Sequence, residues 1–222
     1  MSPLSLSHDG DQVTVCLSSP ILSRAALTDL TEVLDRLAGE TIPPPVVIAS
    51  AHPTIFLAGA HLGEIAELDP RSCVPYARLG RSVAHRLESH PAPVVAAVHG
   101  SCSGGGFDLV IACDVVIASP EATFAHPGVR RGLVTGWGGT ARLSGPLGSG
   151  PMRRALLEGA ILDAGSMKQL GAVLEIAEDP LVEARATARD LTRIHPSRLG
   201  DWRRLRGPSF VDRFRAFVVE KL

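Results

Sequence analysis

The chain predicts an α/β fold in which short strands alternate with amphipathic helices before the pattern turns wholly helical toward the C-terminus. Three observations carry this. Runs rich in β-branched residues recur as far as residue 126, and apolar residues return at helical spacing between them. From residue 180 onward only helical periodicity remains.

The elements follow in order. Residues 13–17 (VTVCL) and 45–50 (PVVIAS) read as strands. Between them, residues 23–38 place Leu27, Leu30, Val33, Leu34 and Leu37 on one helical face, with Ser23 as the N-cap. The stretch IFLAGAHLGEI reads as a strand that breaks at Ala58-Gly59 and enters a helix. A helix is expected over 74–89, a strand over 93–98, a helix over 105–112, and strands over 115–119 and 123–126. Beyond Pro180, helices are expected over 181–194, in a short piece after Pro196, and over 210–221. There Phe210, Val211, Phe214, Phe217 and Val218 form a stripe that reads as a packing or subunit face. No linker or repeat interrupts the chain, so residues 1–180 read as one core. Residues 181–222 then form a helical region packed on that core or on a neighbouring subunit.

Composition excludes several function classes. With 222 residues, 45% of them hydrophobic, the chain is long enough to bury a sizeable core. A formal net charge of −1 gives no global attraction to nucleic acid, and the pairs Arg130-Arg131 and Arg203-Arg204 read as solvated faces. Cys16, Cys73, Cys102 and Cys113 form no CxxC pair, so neither a zinc ribbon nor a disulfide framework is expected, and no metal. Reduced thiols, a first segment without a basic-then-apolar leader, and no apolar run of about 18 residues together lead to the expectation of a cytoplasmic protein without a membrane span.

The chemistry concentrates in HGSCSGGGFD, residues 99–108. One reading makes Gly100-Ser101-Cys102-Ser103-Gly104 a nucleophile elbow of the α/β-hydrolase type, with Asp114 or Asp163 and His126 or His195 as partners. The bland reading of Cys102 is a small buried residue. The competing reading uses the glycines. Three in a row at the start of a helix let the backbone approach a ligand and aim N–H groups at a negative oxygen. No lysine follows, as a phosphate loop would need, and the spacing is not G-x-G-x-x-G. An oxyanion hole remains, for which the backbone at Ala60 and its neighbours offers a second donor.

IFLAGAHLGEI, PVVAAVHGSCSGGGFDLVIACDVVIAS, ATFAHPGVRRGLVTGWGGTARL and ILDAGSMKQLGAV stand in the order and near the spacing of the crotonase superfamily, the enoyl-CoA hydratase and isomerase proteins. The chain resembles that family from about residue 13 to about residue 194. The resemblance implies a crotonase-like spiral of ββα units capped by C-terminal helices and assembled as a homotrimer or a dimer of trimers. It implies an acyl-CoA thioester as substrate, with coenzyme A entering only as part of that substrate and no other cofactor. By motif position the oxyanion donors would be the N–H groups of Ala60 and Gly105, and CoA would lie along Ile21, Ala58, Ala60 and Leu62.

Where family hydratases carry two glutamates, this chain has Asp108 at the first position and Gly128 at the second. Asp108 is therefore expected as the leading acid/base. His126, two residues before Gly128 and on the same side if the strand runs on, is the expected replacement for the missing carboxylate. His61 reads as a helix-start residue on the pocket rim, Glu64 and Glu67 as an exposed helix face, and Arg130 and Arg131 as solvated or in reach of a substrate anion. Two functions stay open beside the elbow: an enzyme acting through a thioester enolate, and an acyl-CoA-binding protein without turnover.

Overall fold

The computed structural model describes residues 3–143 and 149–193, together with Leu199 and Arg203. Among them the backbone builds a repeating turn. Each turn lays one strand in a large sheet and the next in a small one, then returns through a helix. The first such turn is β4 (Val46–Ser50), β5 (Ile55–Leu57) and the two-residue β6 (Gly59–Ala60), followed by α2 (Leu62–Ala66) and α3 (Cys73–Ser89). The second is β7 (Val94–Val98), β8 (Ser101–Ser103) and α4 (Gly105–Ala112). The third is β9 (Val115–Ala118) and β10 (Thr123–Ala125), followed by a 3-10 turn at Pro127–Arg131 and α5 (Gly139–Arg142). Ahead of these lie β1 (Leu4–Asp9), β2 (Gln12–Leu17), β3 (Ile21–Leu22) and α1 (Arg24–Ala38). After them come α6 (Ser149–Arg153), β11 (Leu162–Asp163), α7 (Ala164–Gln169), β12 (Glu175–Ile176) and α8 (Pro180–Thr192).

The large sheet runs β1-β2-β4-β7-β9-β12, with β1 antiparallel to β2 and every other neighbour parallel. The small sheet runs β11-β10-β8-β5, and β3 pairs with β6 beside it. A parallel sheet covered on both faces needs strands apolar throughout, which is why PVVIAS and PVVAAV read as continuous runs rather than alternations. Residues 94–98 of β7 are all buried. On one face Leu27, Leu30, Leu34 and Leu37 of α1 join Phe56, Phe107 and Phe124 in the main core. On the other, Ala184 and Ala188 of α8 lie against Val47, Val95, Ala97 and Ile117.

Most expected elements are present. Ser23 caps α1, its hydroxyl accepting from the Ala26 N–H at 3.2 Å. β8 had no signal of its own, because its three residues fall inside the glycine-rich stretch and acquire strand geometry only by pairing with β5 and β10. The strand expected over 123–126 stops at Ala125, and His126 instead precedes the 3-10 turn that Pro127 begins. The stripe from Phe210 to Val218 and the piece after Pro196 lie outside the described residues, apart from Leu199 and Arg203. No helix among the described residues is long and apolar enough to cross a membrane.

Candidate active site

A cavity of about 650 Å³ opens where β6, α2, the first turn of α3 and the start of α4 meet residues 126–137. Every residue expected at the site lines it: Ile21, Ala58, Ala60 and Leu62, then Gly105, Asp108 and His126. Two glycines make this wall. Gly104 turns into α4 with φ +56°, and Gly59 adopts φ +91°, conformations that side chains rarely tolerate. A Cβ on Gly59 would stand 2.8 Å from both the Gly105 nitrogen and the Ser103 carbonyl oxygen, so the backbone of β6 passes directly over the start of α4. The Ser103 hydroxyl donates to the Ala58 carbonyl at 3.1 Å and ties the two segments together. As the first residue of α4, Gly105 has no intrahelical acceptor for its N–H.

The carboxylate of Asp108 is wholly buried, with the imidazole of His126 beside it at 5% exposure for the residue. His126 Nε2 stands 3.1 Å from Asp108 Oδ1. The two atoms are not aligned as a hydrogen bond, and neither has another hydrogen-bond partner among the described residues. The opposite carboxylate oxygen, Oδ2, accepts a short hydrogen bond from the Thr135 hydroxyl. The Phe107 ring lies 5.3 Å from the imidazole, centroid to centroid. Gly128 also lines the cavity, but from the 3-10 turn and not from a strand, so the alternation expected to place His126 and Gly128 on one side does not apply. The 3-10 turn that begins at Pro127 carries Gly128, with His126 immediately before it.

The remaining candidates have other duties. His61 Nδ1 accepts from the Glu64 N–H at 3.1 Å and so caps α2, while both oxygens of Glu64 accept from the Arg24 N–H. Cys102 lies within β8 at 1% exposure, and burial pushes its thiol well above the usual range; it is no exposed nucleophile. Asp163 caps α7, accepting from the Ser166 N–H at 2.7 Å, which lowers its proton affinity. Asp114 is buried and ion-paired with Arg203 at 2.7 Å, which corrects the expectation that Arg203 is solvated. His195 and Arg204 fall outside the described residues. Arg130 and Arg131 are exposed, and Arg131 reaches the cavity rim.

Among the lining residues that the sequence did not single out are Tyr76, Thr135 and Trp137. Trp137 is buried between α3 and α4, where a Cβ on Gly80 or Gly105 would stand 2.3 or 2.2 Å from its ring. Its carbonyl accepts from Arg142 Nη1 at 2.8 Å, and the same guanidinium grips Glu88 at 2.6 and 2.8 Å, which anchors the loop that carries Thr135. Burial, then the negative charge of Glu64, pushes the Tyr76 hydroxyl up to about 12. The only hint in GLVTGWGGT was the glycines flanking Trp137, a sign of close backbone approach without a stated partner.

Comparison with known proteins identifies the family of the chain. The sequence pattern of the family described as Enoyl-CoA hydratase/isomerase matches residues 16–198. The chain is 30% identical over 190 residues to the short-chain-enoyl-CoA hydratase of Clostridium acetobutylicum, covering 84% of this chain and 72% of that protein. It is 30% identical over 157 residues to mouse mitochondrial methylglutaconyl-CoA hydratase, covering 71% of this chain and 50% of that protein. The crystal structure of an enoyl-CoA hydratase from Bacillus anthracis superposes with a TM-score of 0.81 at 27% identity, over 87% of this chain and 78% of that one. The stacked ββα turns, the glycine-lined start of α4 and the match over residues 16–198 therefore place the chain in the enoyl-CoA hydratase/isomerase family of the crotonase superfamily.

Proposed function

We propose that the protein is an enzyme that binds an acyl-CoA thioester and polarises its carbonyl between the N–H groups of Ala60 and Gly105. Removal of a proton from C2 then leaves an electron pair that the thioester oxygen holds as an enolate. A preorganised donor of this kind contributes about 3–4 kcal/mol to lowering the barrier. Asp108 and His126 move the proton. The observation that supports this reading is the buried pair itself: Oδ1 and Nε2 stand 3.1 Å apart in residues that line the same cavity as Gly105, and neither atom has a hydrogen-bond partner among the described residues.

With glycine at residue 128, the cavity holds one carboxylate from these two positions, not two. That favours shuttling of a proton along the acyl chain, as in a double-bond shift, or carbon–carbon bond chemistry through the enolate, over hydration by a pair of glutamates. The same absence favours a second reading, an acyl-CoA-binding protein without turnover.

A panel of crotonyl-, 3-enoyl-, malonyl- and aryl-CoA thioesters, assayed separately for binding and for product, tests both. The expected result is turnover of at least one thioester, reduced by about 10²–10⁴ in Asp108→Asn with affinity retained. Binding of all without product would establish the second reading. Rapid hydration of crotonyl-CoA, unaffected by Asp108→Asn, would overturn the role of Asp108.

A further inference from the structure

Thr135 gives the two oxygens of Asp108 different work. Its side-chain oxygen stands 3.4 Å from the Trp137 N–H, which can only donate to it. A hydroxyl has one proton, and with its oxygen engaged as acceptor that proton points at Asp108 Oδ2, where the short contact lies. Oδ2 is thereby committed. Oδ1, facing His126 Nε2 at 3.1 Å, is the oxygen left to take or release a proton. We infer that Thr135 is a positioning residue which reserves Asp108 Oδ1 for proton exchange with His126 and the substrate. This rests on the enolate reading for its catalytic consequence, although the arrangement itself exists without substrate.

The anchoring is built in depth. Trp137 fixes the backbone on one side of Thr135 through its bond to Arg142, and the ring is wedged between Gly80 and Gly105, so the hydroxyl has a rigid base. Among the titratable groups on the surrounding elements, Arg131 stands at the exposed rim of the cavity. Cys102 of β8 and Tyr76 of α3 are pushed upward by burial and remain neutral, and Arg142 of α5 is committed to Glu88 of α3. A donor on the charged form of a carboxylate favours that form, so removing it should raise the proton affinity of the pair.

The test compares Thr135→Val, which keeps the shape and deletes the donor, with Thr135→Ser, which keeps the donor. In the ligand-free protein the His126 Cε1–H signal, assigned by its loss in His126→Gln, is titrated by NMR. Thr135→Val is expected to move the midpoint upward, because the carboxylate beside the imidazole loses a donor, and Thr135→Ser to return it to the parent value. In D2O with butyryl-CoA as probe, the C2 proton is exchanged for deuterium through the enolate, with no net change in bonding. Thr135→Val should slow this about tenfold with the Kd for butyryl-CoA retained, and Thr135→Ser should recover it. An unchanged midpoint in Thr135→Val, or a Thr135→Ser as perturbed as the valine variant, overturns the inference. No exchange in the parent would instead count against the enolate reading, with the titration still deciding the role of Thr135.

Discussion

The indole of Trp137 occupies the space into which any side chain at residue 105 would project. A Cβ on Gly105 would stand 2.2 Å from the ring, so the wall between α3 and α4 is built from a glycine and a tryptophan as one unit. A substituent at residue 105 thus meets the core, not the opening where a thioester oxygen would lie. Gly105→Ala is expected to lower stability by about 1–3 kcal/mol through overpacking, read as a fall in Tm. In a Trp137→Ala background the same change should cost much less, because the two positions share the space. Equal costs in both backgrounds would show that the contact does not limit residue 105.

Gly128 is different, with room for a side chain. A Cβ there would meet Leu133 Cβ at 3.4 Å, an ordinary contact, and the residue already lines the cavity beside His126. Gly128→Glu should therefore fold and, by adding a second carboxylate, raise hydration of short enoyl-CoA substrates over the parent. A folded variant with no gain would place the new carboxylate out of reach of the double bond.

Thiol reactivity should follow burial. Cys73 is exposed at the cavity, whereas Cys102 and Cys113 are buried. Iodoacetamide near pH 8 is expected to label Cys73 first and to spare Cys102 until the protein unfolds, as peptide mass mapping would report. Cys102→Ala should retain acyl-CoA binding and turnover. A trapped acyl-thioester on Cys102 would reverse that conclusion.

His90 links stability to pH. It is buried at 1% exposure, its Nε2 has no hydrogen-bond partner among the described residues, and burial lowers its proton affinity. The unfolded chain binds a proton near pH 6.5 that the folded one refuses. This contribution is therefore present in full above pH 6.5 and is lost as pH falls toward the folded value, with a slope of up to about 1.4 kcal/mol per pH unit. His90→Asn keeps an acceptor for the Ala92 N–H but cannot titrate, so its urea-unfolding free energy should fall less steeply below pH 6.5. A slope equal to the parent's would assign the acid sensitivity elsewhere.

Sequence by itself determined the parts whose information is local and repeated. The apolar stripe and Ser23 cap of α1, the continuous runs of β4 and β7, and the three glycines opening α4 could be read because each depends on neighbours a few residues away. The four family blocks located Ala60, Gly105 and Asp108 in the same way, and all three line one cavity. Tertiary structure alone decided what those residues touch. β3 and β6 are two residues each, too short for any period, and exist because they pair with one another. His126 leaves its strand because Pro127 starts a tight turn. Thr135 reaches Asp108 across 27 residues of sequence, and Trp137 finds its place between Gly80 and Gly105. Contacts of that kind leave no pattern along the chain, since a single side chain in an irregular loop has no periodicity to betray its partner.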